Sequence, residues 1–178
     1  MKCLSNLLSQ LSGRYATHLA FMEDHLSLKT QPAYRDNKRS FISAVPLGVG
    51  IMAAVDEIIF HQLLAWHHFF DWGTPAFSLF SDGLLHAAEL IAFVAGAFML
   101  HNLIRHQTLC RLSAWSGFFT GLGGFQLFDG IVDHKLLRLH QIRYVDNLLT
   151  YDLIWNGAGL LMLSVGWLLY RHSRSAAG

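Results

Sequence analysis

The sequence predicts an all-α integral membrane protein: a four-helix bundle made of two helical hairpins in parallel repeat, with an extra N-terminal arm. Three observations carry this expectation. The 178 residues are 53% hydrophobic and only 14% charged, where soluble domains carry about 25% charged residues. Four apolar stretches are long enough to span a bilayer, which takes about 20 residues. The chain also writes one pattern twice, as VDEIIFHQLLAWHH at 55–68 and FDGIVDHKLLRLHQ at 128–141. Asp56, His61 and His67 of the first copy return as Asp129, His134 and His140, each 73 positions later. Ionisable groups are costly inside a membrane, so their repetition marks a repeated site as well as a repeated scaffold.

The elements follow in order. Residues 1–39 read as a polar arm with no recognisable secretory signal. Within it, 4–22 is expected as an amphipathic helix on the membrane surface or as a simple tail. Residues 40–178 are the four-span domain. Its spans are 41–66, 84–104, 112–139 and 153–170, all interrupted by polar residues. Pro46, Gly48 and Gly50 in the first and the GLGG run at 121–124 in the third predict bends and close helix contacts. Repeat one covers about 41–104 and repeat two about 112–171. The second halves of the repeats match less well: SDGLLH at 81–86 corresponds to YDLIWN at 151–156, which sets Asp82 against Asp152 and His86 against Asn156.

Basic residues orient the bundle. Arg35, Lys38, Arg39, Arg105, Arg111, Arg171 and Arg174 flank one side, against Lys135, Arg138 and Arg143 on the other. The positive-inside rule then puts both termini in the cytoplasm of a bacterial inner membrane. Each hairpin has an even number of crossings, so both enter from one side and are related by an axis along the membrane normal. Trp66, Trp72, Trp115 and Trp167 fit an aromatic belt. A net charge of +1 gives no reason to expect nucleic acid. Cys3 and Cys110 lie far apart with no C-x-x-C spacing, so no disulfide framework or thiolate metal site is implied.

The chemistry-bearing residues gather at the outer end. His61, His67, His86, His134, His140, Asp56, Asp82 and Asp129 are the metal-ligand candidates. Asp82, His86 and Glu89 share one helical stripe. Rise per residue puts His61, His86 and His134 at one level, with Asp56, Asp129 and Glu89 deeper as ligands or as carboxylates that orient imidazoles. His61 poses a difficulty, because five residues along an α-helix turn it about 140° away from Asp56. Either the helix bends or unwinds there, or the two residues serve different contacts. Glu57 reads as a local i,i+4 partner of His61. His101, His106 and His172 read as solvated residues on the inner side, and His18 and His25 as part of the arm.

Nitrogen and oxygen donors without sulfur suit copper(II), iron or zinc. Haem between facing histidines is the alternative cofactor. Polar glue between helices and a metal-free proton or ion relay are the competing roles. The spacing H-x5-H-H is not the H-E-x-x-H of zinc peptidases. An oxidoreductase built on such a site would also need an open coordination position.

The ordered motifs VDEIIFHQLLAWHHF, SDGLLHAAEL and GGFQLFDGIVDHKLLRLHQIR followed by YDL resemble the DUF2243 family of bacterial four-span membrane proteins, over roughly 44–170. Asp56, His61, Gln62, Trp66, His67 and His68 match the family's first element. Asp82, Gly83 and His86 match its second; Asp129, Asp133, His134 and His140 match its third. Glu57, Lys135 and Gln141 depart from it, which makes Lys135 and Gln141 poor ligands. The resemblance implies a four-span fold and a shared polar site. It also implies respiratory-chain or oxidase-assembly partners, with copper or haem handling. Lipid is the expected surroundings, and self-association is left open.

Overall fold

A computed structural model describes residues 35–175. Of the arm expected at 1–39, residues 1–34, with the expected surface helix, lie outside the described residues, and Asn37–Arg39 already belong to the first helix. Four helices follow: α1 (Asn37–Val55), α2 (Pro75–Arg105), α3 (Arg111–Phe128) and α4 (Leu148–Ser175). Among the described residues there is no strand, only an isolated bridge between Asp36 and Leu109.

Local chemistry sets the helix ends. The Asp36 carboxylate accepts from the Arg39 amide at 2.9 Å and caps α1. Thr74 caps α2, and Pro75 takes the first helical position, where its missing N–H costs nothing. This cap starts α2 nine residues before the expected position 84. At the opposite end of the bundle, the Asp36 amide donates to the Thr108 carbonyl and the Cys110 amide to the Ser40 hydroxyl, both at 2.9 Å. The starts of α1 and α3 are thereby tied together, and Phe41 of α1 meets Tyr170 of α4 edge-on at 5.5 Å.

α1 packs against α2 and α3, and α3 packs against α4, so the duplicated helices form the inner pair. They meet at two glycines in equivalent positions. A side chain on Gly48 would run into the Phe118 carbonyl, and one on Gly121 into the Val45 carbonyl. Val45 and Phe118 are themselves 73 positions apart, so the crossing point lies on the pseudo-twofold axis of the repeat.

α1 and α3 both change character at their outer ends. Each continues as a π-helical segment of eight residues, Asp56–Leu63 in repeat one and Asp129–Leu136 in repeat two. The two stop alike. The Leu64 amide donates to the Ile59 carbonyl at 2.9 Å, and the Leu137 amide to the Val132 carbonyl at 2.7 Å. Ala65 (φ 47°) and Arg138 (φ 53°) then take the left-handed conformation that ends a helix. Every member of this construction recurs 73 residues later.

The distribution of polarity is inverted relative to a soluble protein. The largest fully buried side chains are His134, His140, Glu57, Asp56, Asp82 and Asp129. Leu79, Phe98, Leu153, Ile154 and Leu161 are exposed. Only a lipid solvent makes that arrangement favourable. α1 with its π segment, α2 and α4 are long and apolar enough to cross a membrane. α3 is not among them. It buries Ser113, Ser116, Gly121 and Gln126, the small and polar surface of a central helix enclosed by its neighbours. Trp66 lies just past the end of the first π segment. It packs on Phe60 and Tyr151, with the Arg143 guanidinium 4.6 Å above its ring.

Candidate metal centre

The π segments resolve the misfit of His61. A π-helix closes i→i+5 hydrogen bonds, so residue i+5 lies over residue i. Asp56 and His61 are five apart, as are Asp129 and His134. The extra backbone in each turn brings the imidazole over the acid: His61 Nε2 lies 3.6 Å from the Asp56 carboxylate, and His134 Nε2 lies 3.2 Å from that of Asp129. The chain then reverses, and the third member returns to the same acid. His67 Nε2 stands 4.0 Å from Asp56, and His140 Nε2 stands 3.5 Å from Asp129.

The two triads face each other across the axis. The His67 and His140 rings stack at 4.5 Å with an interplanar angle of 7°. His61 meets His67 edge-on at 4.5 Å, and His134 meets His140 at 4.6 Å. The cross-repeat pairs are equally matched, with His61 to His140 at 5.9 Å and His67 to His134 at 6.0 Å. One nitrogen from each of His61, His67 and His140 lies within 4.8 Å of the others; so do one carboxylate oxygen of Asp129 and one nitrogen from each of His134 and His140.

Backbone carbonyls fix the central pair. The Nδ1–H of His67 donates to the Ile142 carbonyl at 2.9 Å, and that of His140 to the Phe69 carbonyl at 3.0 Å. Each repeat therefore orients the other's imidazole, through acceptors that are themselves 73 residues apart. With Nδ1 carrying the proton, Nε2 presents its lone pair to the centre. Such a carbonyl contact behind an imidazole is the usual support of a metal ligand. The Nε2 atoms of His61, His67, His134 and His140 are all buried without a hydrogen-bond partner. Burial, with the nearby rings of His140, His61 and His134 adding to it, pushes the pKa of His67 down to about 2. That ring is neutral, as a ligand must be.

Two connecting loops roof this cluster. The Asp71 amide donates to the Leu139 carbonyl at 3.1 Å, and the Trp72 indole to the Arg138 carbonyl at 2.5 Å. The Tyr144 hydroxyl donates to Asp71 at 2.6 Å. Burial and this contact raise the Tyr144 pKa, so the phenol keeps its proton and holds the loops together.

Six of the eight residues expected from the sequence come together here: Asp56, His61, His67, Asp129, His134 and His140. Asp82 lies just behind, on the far side of His61. Its carboxylate accepts from His61 Nδ1 at 3.2 Å, His68 Nδ1 at 2.6 Å and the Phe69 amide at 2.7 Å. His86 is placed apart. Its ring is more than half exposed, and its Nδ1 faces Glu89 at 2.6 Å. Glu57, expected only as a local partner, is 2% exposed and lies 2.8 Å from His61 Nδ1. The Phe69 and Ile142 carbonyls went unrecognised because a backbone acceptor leaves no residue-type signal.

A family model described as "Predicted membrane protein (DUF2243)" matches residues 43–173. No curated protein and no solved structure gives a significant match.

Proposed function

Because the chain belongs to the DUF2243 family of predicted membrane proteins, we propose that its duplicated hairpins bind a transition metal between them. The ligands are His61, His67, His134 and His140, with Asp56 and Asp129 completing the set. One observation carries this reading: two buried donor groups, His61/His67/His140 and Asp129/His134/His140, share His140, and the Nε2 atoms of all four histidines lack a hydrogen-bond partner. Leaving a buried polar atom unpaired costs about 1–3 kcal/mol, and four of them around two carboxylates is the arrangement a bound cation stabilises. Nitrogen and oxygen donors select copper(II), iron or zinc over copper(I). Haem is disfavoured by the stacking of His67 on His140 at 4.5 Å, which leaves no slot for a macrocycle between them.

The centre lies at the end of the bundle away from most of the arginines, which is the periplasmic end under the positive-inside rule. A metal there would supply redox or Lewis-acid chemistry at the membrane surface, or be held for delivery to respiratory proteins. The protein's own contribution is to orient four rings, exclude lipid and roof the site with two loops.

Elemental analysis with an optical spectrum of the purified protein tests the reading. It predicts tightly held copper, iron or zinc without a Soret band, lost in a His67→Ala/His140→Ala double variant. A metal-free protein whose proton flux in liposomes depends on Asp56 and Asp129 would replace it with a relay. A Soret band would replace it with haem.

A further inference from the structure

The two repeats are alike at the centre but differ on their flanks, and the difference has a pattern. In repeat two, Asp152 pairs with the Lys135 ammonium at 2.6 Å. The positions equivalent to Glu57, His86 and Glu89 are Gly130, Asn156 and Gly159. Besides Asp129, repeat two buries Asp133, whose equivalent in repeat one is Phe60, so it has two outlying carboxylates, one of them neutralised by a fixed cation. Repeat one has Asp82 in place of Asp152, and adds Glu57 and Glu89, all three buried. Lys135 is replaced there by Gln62. Among the described residues, every ion-pair partner of Asp56, Glu57, Asp82 and Glu89 is a histidine. Among the described residues no lysine or arginine pairs with these four carboxylates.

Two of these acids, Glu57 and Asp82, line a cleft of about 320 Å³ together with Gln62, Gly83 and His86. Glu57 Oε1 accepts from the Gln62 amide at 2.8 Å, and its buried Oε2 faces only the Nδ1 edge of His61, also at 2.8 Å; Glu89 Oε2 is buried without a hydrogen-bond partner. Glu57, Asp82 and the Nδ1 of His61 can each offer one donor atom, all within 4.8 Å of one another. Concentrated carboxylate charge next to lipid is expensive unless a cation is held against it.

We infer that repeat one holds a second divalent cation, bound by Glu57, Asp82 and His61 Nδ1, in the role that the Lys135 ammonium fills in repeat two. The mixed carboxylate and imidazole set suits manganese(II), iron(II) or zinc. The cation displaces the Nδ1 proton of His61, which leaves to solvent, so its affinity falls as pH is lowered. This site lies on the opposite edge of the His61 ring from the central cluster. It rests on the central reading only in sharing that one residue.

Zinc titration of the full chain in detergent, with the bound ion counted by elemental analysis, tests the inference. Gln62→Lys supplies the ammonium that repeat two already uses, and is expected to bind one zinc fewer than the unaltered protein. Glu57→Gln, which keeps the side-chain volume, is expected to weaken that same ion at least tenfold. The His67→Ala/His140→Ala variant is expected to keep it while losing central metal. Undiminished zinc counts and affinities in both Gln62→Lys and Glu57→Gln overturn the second site. If the double histidine variant alone loses nothing, the central reading fails instead.

Discussion

At the scale of single residues, the orientation of His67 and His140 decides what the centre can bind. Each ring gives its Nδ1 proton to a carbonyl of the other repeat, so each Nε2 is committed to the interior. The commitment has a measurable cost in acid. His67 is held neutral with a pKa near 2, whereas in an unfolded chain the ring takes up a proton near pH 6.5. A depressed group contributes stability above its unfolded pKa and loses it as pH falls. Metal-free protein should therefore lose up to about 1.4 kcal/mol per pH unit below about pH 6.5 through this ring alone. Thermal unfolding in detergent at about pH 7.5 and about pH 5.5 measures this loss. His67→Gln should flatten the dependence; an unchanged slope would mean that the ring is not held neutral. The identities of these histidines were legible in the sequence because the 73-residue offset singled them out. Their supporting carbonyls were not, since any residue can supply one.

At the scale of elements, the π segments explain why the acid and the histidine could be recognised but not placed. Counting along an ideal α-helix sends His61 about 140° from Asp56. Hydropathy carries no mark of the wider turn that brings it back. The misfit itself was the available signal, since π-helical turns occur frequently at functional sites. It follows that the helix type, and not merely the residues, builds the centre. Deleting Ile59 should return the first segment to α-helical register, which leaves Asp56 and His61 four apart on one face but removes one residue from the path that carries His67 back to the same acid. The expected outcome is helicity by circular dichroism close to that of the unaltered protein, with the central metal weakened at least tenfold. Deleting Val132, its equivalent in repeat two, should act likewise on His140. Undiminished metal binding in both deletions would show that the wider turns are dispensable. The start of α2 was also misplaced, for a different reason. Thr74 and Pro75 are strong start signals, but the expectation followed the apolar run alone.

At the scale of the whole molecule, the chain is arranged for lipid outside and polarity inside. Its two inner helices touch at Gly48 and Gly121, where backbone meets backbone. A methyl group at either position must push α1 and α3 apart, and overpacking of this kind costs about 1–3 kcal/mol. Gly48→Ala should lower the midpoint of unfolding in mixed micelles. Because the same crossing sets the separation of the triads, metal affinity should fall with it. No change in either quantity would place the axis elsewhere. The bundle and its doubling were readable from composition and self-similarity. The central position of α3 was less so, because a helix enclosed by others need not be apolar, and its serines and glycines weaken the hydropathy signal.

The central claim is that four imidazoles from two hairpins share one metal environment. X-ray absorption at the edge of whichever metal the purified protein retains tests this most directly. The account predicts a first shell of nitrogen and oxygen at about 2.0–2.2 Å, with the outer-shell scattering of several imidazole rings, reduced in the His67→Ala/His140→Ala variant. A first shell containing sulfur, or a spectrum without imidazole scattering that the double variant leaves unchanged, would contradict it.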